Sequence, residues 1–170
     1  MAKIKTLFII VVAVFGLACS TQAQNLDNLV LKSFEHMKKQ EWSDAQVLLE
    51  KAAGIVQNRK GHQVAIIHYN KGYCELRLSK VANAEKKQHY AELANTSFTT
   101  CQRFPSNIFY AKSFYYQALA NMQSGQYESA LNAFNQFLKN RNPARDSYDK
   151  GLLNLYKATC HFKLVAQQAE

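Results

Sequence analysis

The stretch Phe114–Leu138, FYYQALANMQSGQYESALNAFNQFL, decides the fold of this chain. Two helical patterns in it are joined at Ser124-Gly125-Gln126, where the glycine suits the left-handed backbone conformation that ends a helix. Small Ala118 lies among bulky apolar residues in the first pattern, and apolar residues share one helix face in the second. The members of that second face are Tyr127, Ala130, Phe134 and Phe137. The stretch predicts an αα-hairpin, and further copies are expected because one hairpin cannot bury its apolar face alone.

The small residue of this hairpin has counterparts in three other helical segments. In all four segments a large apolar residue follows by four positions, and a polar residue directly precedes the small one. The small residues are Ser33, Gly72, Ala118 and Ala158, the apolar residues are Met37, Leu76, Met122 and Phe162, and the polar residues are Lys32, Lys71, Gln117 and Lys157. Only six Gly and two Pro occur in 170 residues, which disfavours a turn-rich β fold. The sequence predicts an all-α fold built from a helical repeat.

Two further hairpins are expected before the opening stretch. The first turns at Gln40-Glu41. In the second, the small residues Gly72 and Ala94 lie 22 positions apart, ten more than the matching residues of the other two hairpins. The extra segment near Lys80–Tyr90 has no Gly or Pro and is rich in helix formers, so we interpret it as extra helical turns. A flexible loop is the alternative.

Prolines and cap residues mark the remaining boundaries. Pro105-Ser106 is expected to end the second hairpin, with Ser106 capping the next helix. Asn142-Pro143 is expected to begin the last helix as a cap residue followed by a first-turn proline. No second helix remains to pair with this one, so we interpret it as a terminal cap on the stack. Its expected apolar face consists of Leu152, Leu155, Ala158, Thr159 and Phe162.

Residues 1–23 are typical of a secretory signal peptide, which leaves residues 24–170 as the mature domain. Two lysines precede an apolar run, Leu7–Ala18, that is short for a membrane span. Cys19, directly after this run, offers an alternative, because such a cysteine bears the lipid in bacterial lipoproteins. The sequence predicts an exported protein, periplasmic or secreted, or else a lipoprotein anchored to the membrane through Cys19.

The net charge of the chain is +9, and +7 remains once the two lysines of the signal segment are removed. This excess favours acidic partners, or peripheral association with an anionic surface, over basic partners. Nucleic acid has less weight as a partner because an exported protein has little occasion to meet it.

Three cysteines remain beyond the signal segment: Cys74, Cys101 and Cys160. Each falls at a small or apolar position of a helical pattern, which favours buried thiols that act as small hydrophobic groups. A Cys74–Cys101 bridge across the second hairpin is the alternative.

The runs Tyr69-Asn70-Lys71-Gly72-Tyr73 and Ala118…Gly125-Gln126-Tyr127…Ala130…Phe134 resemble tetratricopeptide repeats (TPR), which are helix–turn–helix units of about 34 residues. The resemblance covers nearly all of residues 26–166. It implies an α-α superhelix of about three TPR-like hairpins with a C-terminal capping helix. The Gln-Ala-Gln that ends the signal segment resembles exported proteins of Bacteroidetes-type bacteria.

In TPR proteins the first helices of the hairpins line a concave surface that grips a partner segment. The resemblance implies that this surface carries tyrosines, methionines and cations, which suit an acidic peptide or protein. Helical periodicity alone does not separate such a surface from the core between repeats. The implied binding residues are Phe34, Met37 and Lys38 from the first hairpin, Ile66, Tyr69, Tyr73 and Arg77 from the second, and Lys112, Tyr115, Leu119 and Met122 from the third.

No spacing typical of a catalytic, metal or cofactor site occurs: the sequence has no HExxH, no Cys-x-x-Cys, no phosphate-binding glycine loop and no Gly-x-Ser-x-Gly elbow. It therefore predicts no enzyme, no cofactor and no metal. The favoured function is a non-enzymatic protein-interaction module, or scaffold, of the bacterial envelope. The alternative is a structural envelope component that binds an anionic lipid or glycan through its basic face. The oligomeric state stays open.

Overall fold

The computed structural model describes residues 24–57 and 61–169. These residues form seven α-helices and no strand, so the predicted all-α class is confirmed. No helix among them is both long enough and apolar enough to span a bilayer. The helices are α1 at 24–38, α2 at Trp42–Val56, α3 at His62–Val81, α4 at Ala84–Cys101, α5 at Tyr110–Gln123, α6 at Tyr127–Asn140 and α7 at Lys150–Gln168. The predicted signal segment and Cys19 lie outside the described residues.

Consecutive helices pack on one another along the chain, and α3 also touches α5. The core consists of three clusters, each shared by three successive helices. The first joins α1, α2 and α3, the second joins α3, α4 and α5, and the third joins α5, α6 and α7. The large side chains in these clusters include those of Leu49, Phe98 and Phe134, which have no exposed surface. Burial of an apolar face against its neighbours stabilises each helix, which would be only marginally stable in isolation.

The periodic face predicted for α6 packs in the core: Ala130, Phe134 and Phe137 are buried, and Tyr127 is half-buried against the third cluster. Helix α4 packs through a similar face, on which Ala91, Ala94, Phe98 and Cys101 have no exposed surface. The Gln40-Glu41 turn lies between α1 and α2, as expected. Gly125 has a φ of 76°, the left-handed conformation that the turn between α5 and α6 requires.

The second hairpin is lengthened by helix rather than by a loop. Helix α3 continues to Val81 and α4 begins at Ala84, so only two residues separate them. One of these, Asn83, caps α4 by accepting a hydrogen bond from the backbone N–H of Lys86 at 3.1 Å. The prediction of extra helical turns is confirmed, and the flexible-loop alternative is wrong.

Two predicted helix starts are wrong. Helix α5 begins at Tyr110, and Asn107 rather than Ser106 binds the local backbone, accepting from the N–H of Phe109 at 2.8 Å. Helix α7 begins at Lys150, where the carboxylate of Asp149 accepts from the N–H of Leu152 at 2.9 Å.

Asn142 does not cap α7 because its own groups close a local turn. Its side-chain oxygen accepts from the N–H of Ala144, and its backbone N–H donates to the enclosed carboxylate of Asp146 at 2.8 Å. The segment between α6 and α7 is therefore an irregular but hydrogen-bonded connection.

The packing face of α7 also differs from the prediction. Leu153 and Cys160 are buried against α6, and the ring of Tyr156 stacks on Phe134 with centroids 6.1 Å apart. The expected apolar face is the exposed one: Leu155 is 61% and Phe162 71% exposed. Leu152 and Ala158 are exposed too, and Thr159 is half-buried. Helix α7 thus lacks the polar outer face that a terminal cap presents.

The polar residue that precedes each small residue contacts the preceding hairpin in three cases. Lys71 lies 2.8 Å from Glu50 of α2, Gln117 donates to Thr99 of α4 at 3.0 Å, and Lys157 donates to Asn135 of α6 at 3.0 Å. The same position of three helices therefore makes the same kind of contact, from one helix to the second helix of the hairpin before it.

Candidate functional site: an aromatic and basic strip

Four aromatic rings form a continuous row across α2, α3 and α5. The ring centroids of Trp42 and Tyr73 lie 5.8 Å apart, those of Tyr73 and Tyr116 5.3 Å, and those of Tyr116 and Tyr115 5.4 Å. Each pair meets edge to face, the arrangement that aromatic quadrupoles prefer. All four residues are half-buried, so the rings are held by the core and still present surface. We call these four residues the aromatic row.

Cations flank both ends of the aromatic row. The guanidinium carbon of Arg77 lies 4.9 Å from the centre of the Trp42 ring, a cation–π contact. Lys38 lines a cleft of about 540 Å³ at this end. Lys112 lines a second cleft beside Tyr115 and Tyr116 at the other end. The row together with Lys38, Arg77 and Lys112 is the aromatic-basic strip.

Tyr115 and Tyr116 of the strip stay neutral over the physiological pH range. Burial raises the pKa of Tyr115 to about 12, and the neighbouring tyrosines add to this. Burial likewise raises the pKa of Tyr116, although a hydrogen bond with Tyr69 and the charge of Arg77 oppose the shift. The strip therefore presents neutral phenol rings beside separate positive charges, which can attract carboxylates without a competing anion on the rings.

The structure brings many of the predicted binding residues together. Phe34, Met37, Lys38 and Tyr73 line the cleft at the Trp42 end. Phe34 also lines an adjoining apolar cleft with Ile66. Lys112 and Tyr115 share the cleft at the other end, and Arg77 covers Trp42.

Other predicted binding residues belong to the core. Tyr69 is only 8% exposed, and its ring stacks on Phe109 with centroids 4.2 Å apart. Leu119 and Met122 are half-buried and pack against the third core cluster. Tyr69 lies one helical turn from Tyr73 on α3, so periodicity placed both on one face, whereas the position of α5 decides which of them is covered.

Sequence reasoning missed Trp42 and Tyr116 as members of the strip. Trp42 begins the second helix of its hairpin, whereas the resemblance implies a binding surface on the first helices, yet its ring lies across Tyr73 and under Arg77. Tyr116 follows Tyr115 directly, and adjacent helix positions point about 100° apart, so a single helix face does not predict both. The signal for both was the aromatic residue type itself, since large half-buried rings are enriched where proteins bind partners.

A buried ion pair lies apart from the strip, between α2, α3 and α4. Lys71 Nζ lies 2.9 Å from Glu75 Oε1 and 2.8 Å from Glu50 Oε2, and the Ser97 hydroxyl donates to Glu75 at 2.7 Å. Burial lowers the pKa of Lys71, but the two carboxylates outweigh it and the pKa is raised. Burial raises the pKa of Glu75, against the opposing effects of Lys71 and Ser97. Glu75 has no exposed surface, so we interpret this ion-pair network as part of the packing between α2, α3 and α4.

One group of described residues has ligand atoms close enough to share a metal ion. His36, Glu41 and Asp44 lie at the turn between α1 and α2, with ligand atoms within 4.8 Å of one another. His36 Nδ1 is already 2.6 Å from Glu41 Oε2. The three side chains lie at the surface, and the contact between His36 and Glu41 forms without a metal ion.

Comparison with protein-family models, with curated proteins and with solved structures finds no match for this chain. The resemblance to TPR therefore stays a prediction, while the all-helical fold and its three-helix clusters are observed. Function is inferred below from the geometry of the chain's own residues.

Proposed function

We propose that this chain is a non-enzymatic interaction module of TPR-like architecture that binds an acidic protein segment along the aromatic-basic strip. The observation that carries the proposal is the continuous aromatic row between two clefts, with Lys38, Arg77 and Lys112 along it. Aromatic and arginine side chains are enriched among the residues that supply most of the binding energy of protein interfaces.

Two observations support the TPR-like superhelix. The small residues Ser33, Gly72 and Ala118 are buried at equivalent places in three hairpins. The polar residue that directly precedes a small residue contacts the preceding hairpin in three helices, through Lys71, Gln117 and Lys157. In such a superhelix α1, α3 and α5 face the concave side, and these three helices supply most of the strip.

The charges of the strip favour an acidic ligand. Lys38 is exposed, and Arg77 and Lys112 are half-buried. Among the described residues, Glu35 is the one acidic residue that lines the cleft at the Trp42 end, and no acidic residue lines the cleft beside Tyr115 and Tyr116. A peptide with carboxylates for the cations and aromatic or aliphatic side chains for the rings would satisfy both components. A flat anionic membrane would reach the charges but leave the half-buried rings unused, so we favour a peptide over a lipid surface.

Binding can be followed through Trp42, which is the single tryptophan of the chain. A synthetic peptide of alternating Glu and Phe should change the tryptophan emission as it binds, and a Lys-Phe peptide of equal length should not. Added salt should weaken binding, because the charges of the strip are exposed to screening. The double variant Lys38→Glu/Lys112→Glu should weaken binding by on the order of tenfold.

The double variant Lys87→Glu/Lys163→Glu is the matched control, since it makes the same charge change on the exposed surfaces of α4 and α7, outside the strip. Equal affinity for the two peptides, or an equal loss in the control, would contradict the proposal. Anionic lipid vesicles form a further arm: tighter binding to vesicles than to the acidic peptide would favour the envelope-surface alternative.

Export is part of the proposal and has its own test. Mass spectrometry of the protein purified from its native cells should find an N-terminus at Gln24. A lipid-modified N-terminus at Cys19 would instead identify a membrane-anchored lipoprotein, and an intact Met1 would contradict export.

A further inference from the structure

A second groove lies between α4 and α6, with α5 as its floor. Glu92, Thr96 and Thr99 of α4, with Arg103 just beyond its end, form one wall, and Ser129, Asn132 and Gln136 of α6 form the other. The groove measures about 540 Å³. From Glu92 it follows α4 to its end at Cys101, a rise of about 14 Å. We call it the amide groove.

The floor of the amide groove is polar and held in place. Gln117 donates to Thr99 at 3.0 Å and accepts from Gln102 at 2.9 Å, and the side chain of Asn95 donates to Asn121. These contacts fix four amide groups between neighbouring helices. A ligand would therefore meet a preorganised set of donors and acceptors, which lowers the entropic cost of binding.

Several groups of the groove retain hydrogen-bonding capacity. The oxygen of the Asn95 side chain is buried without a partner among the described residues. The Thr96 and Thr100 hydroxyls donate to backbone carbonyls one turn earlier, which leaves their oxygens as acceptors. The side chains of Ser129 and Asn132 are exposed and form no hydrogen bond within the described part of the chain. The threonine oxygens and the exposed side chains of Ser129 and Asn132 can therefore pair with the hydroxyl groups of a ligand.

The charged and apolar residues of the groove limit the kinds of ligand that it can bind. Glu92 and Arg103 are the charged residues, and their charges cancel. Phe114 supplies the one aromatic ring. Apolar ligands and amphipathic helices need a mainly apolar site, and a polyanion needs several cations. Amides and hydroxyls that both donate and accept, beside one ring, complement a ligand whose groups are hydroxyls that both donate and accept.

We propose that the amide groove binds a neutral oligosaccharide, with its hydroxyls on the amide and hydroxyl rows and a sugar face against Phe114. An extended peptide is disfavoured, because its alternate side chains need pockets for specificity and the groove offers only Phe114 and Ala133 as apolar surface.

The amide groove is separate from the aromatic-basic strip. Phe114, Gln117 and Asn121 lie on one face of α5, whereas Lys112, Tyr115 and Tyr116 lie on the opposite face, since successive residues turn by about 100°. The inference therefore does not depend on the peptide-binding proposal.

Side-chain amide signals in ¹H–¹⁵N NMR spectra of the full-length chain test the inference. The probes are neutral hexasaccharides of glucose, mannose, galactose and N-acetylglucosamine, each added to millimolar concentration. At least one of them should shift the amide signals of Gln117, Asn132 and Gln136 and leave that of Asn154, an exposed residue of α7, in place. The double variant Ser129→Ala/Asn132→Ala should weaken that binding about thirtyfold, because two hydrogen bonds are lost and each contributes about 1 kcal/mol.

Asn154→Ala is the control and should bind as the unchanged protein does. The absence of shifts at these amides with all four sugars would overturn the inference. So would equal weakening in the control, or tighter binding of a neutral Asn-Ser peptide than of any sugar. Failure here leaves the response of Trp42 to acidic peptides unaffected, so the two proposals are tested separately.

Discussion

Gly72 of α3 lies directly against the ring of Phe98 in α4, so that a methyl group on Gly72 would come within 3.0 Å of the ring atom Cε1. Phe98 has no exposed surface and is enclosed by the second core cluster. The ring therefore has no free space into which it can withdraw. This close approach sets the separation of the two helices in the longest hairpin of the fold.

We expect Gly72→Ala to destabilise the protein despite the better helix propensity of alanine. The propensity gain is about 1 kcal/mol, whereas forcing a methyl group into a closed core costs roughly 1–3 kcal/mol. Urea unfolding followed by circular dichroism should show a net loss of about 1 kcal/mol. Gly54→Ala is the matched control: a methyl group at this helical glycine meets nothing within 4 Å, so the change should stabilise the protein. Stabilisation by Gly72→Ala would show that the hairpin can open to admit a side chain.

Lys71→Met should be among the most destabilising single changes in the chain. It leaves the carboxylate of Glu75, which is fully buried, without its cation, and loss of one partner from a buried pair costs roughly 3–5 kcal/mol. Thermal unfolding at neutral pH measures the loss. The double variant Lys71→Met/Glu75→Met removes both charges and should recover most of the stability. A double variant no more stable than Lys71→Met would mean that the ion pair itself holds the helices together.

His68 should make stability depend on pH. Burial, and then the positive charge of Lys71, lower its pKa below 6.5, while Glu50 opposes the shift and Arg103 adds to it. The unfolded chain then binds the proton more readily, so the free energy of unfolding should fall as the pH drops below 6.5, by at most about 1.4 kcal/mol per pH unit. Urea unfolding between about pH 7.5 and pH 5 measures this slope.

His68→Gln should remove this contribution to the slope, while His62→Gln, at the exposed start of α3, should leave it unchanged. The comparison between variants is needed because the raised pKa of Glu75 gives a slope of opposite sign. An unchanged slope in His68→Gln would assign the pH dependence to other groups.

Asp146→Asn should lower stability by about 2 kcal/mol, because the fully enclosed carboxylate accepts from the N–H of Asn142 and from Arg145. Burial raises the pKa of Asp146, but these hydrogen bonds outweigh it and the pKa is lowered below 3.8. The stabilisation should be present above pH 3.8 and be lost as the pH falls through the lower folded value. Thermal unfolding in acid measures it. Asp27→Asn, on the exposed surface of α1, should change stability little.

The cysteine thiols of α3 and α4 should resist alkylation in the folded protein. Burial raises the pKa of Cys74 and that of Cys101 to about 12, and only the thiolate reacts. Iodoacetamide at about pH 8, near the pKa of a free thiol, should label both slowly in buffer and rapidly in urea, as read by peptide mass spectrometry. Both are free thiols in the structure. A disulfide-linked peptide pair from the native protein would contradict this prediction.

The sequence indicates the packing face of a helix when apolar residues lie on a single side of that helix. Ala94 and Phe98 repeat on one side of α4 among polar neighbours, so the packing face was readable without knowledge of the partner helix. Helix α7 is apolar on two sides, with Leu153 and Cys160 on one and Leu155 on the other. Which side packs depends on where α6 lies, and periodicity does not contain that information.

The candidate sites were predictable only in part, for a similar reason. Lys38, Tyr73 and Tyr115 lie on the strip as the repeat resemblance implied. The amide groove arises from the polar side chains of Gln117 and Asn121, which the sequence did not link to a site. Their meeting with Thr99 and Asn95 depends on the tertiary approach of α4 and α5.

Helix α5 carries Tyr115 and Tyr116 of the strip on one side and Gln117 and Asn121 of the amide groove on the other. Adjacent residues of one helix thus belong to both proposed binding surfaces. If a ligand at one surface displaces α5 and so changes the affinity at the other surface by some factor, thermodynamic linkage requires that a ligand at the second surface changes the affinity at the first by the same factor. A partner bound at the aromatic-basic strip would then act as an effector of the amide groove, and a ligand in the groove as an effector of the strip. The affinity for each of two unlike ligands would depend on whether the other is bound.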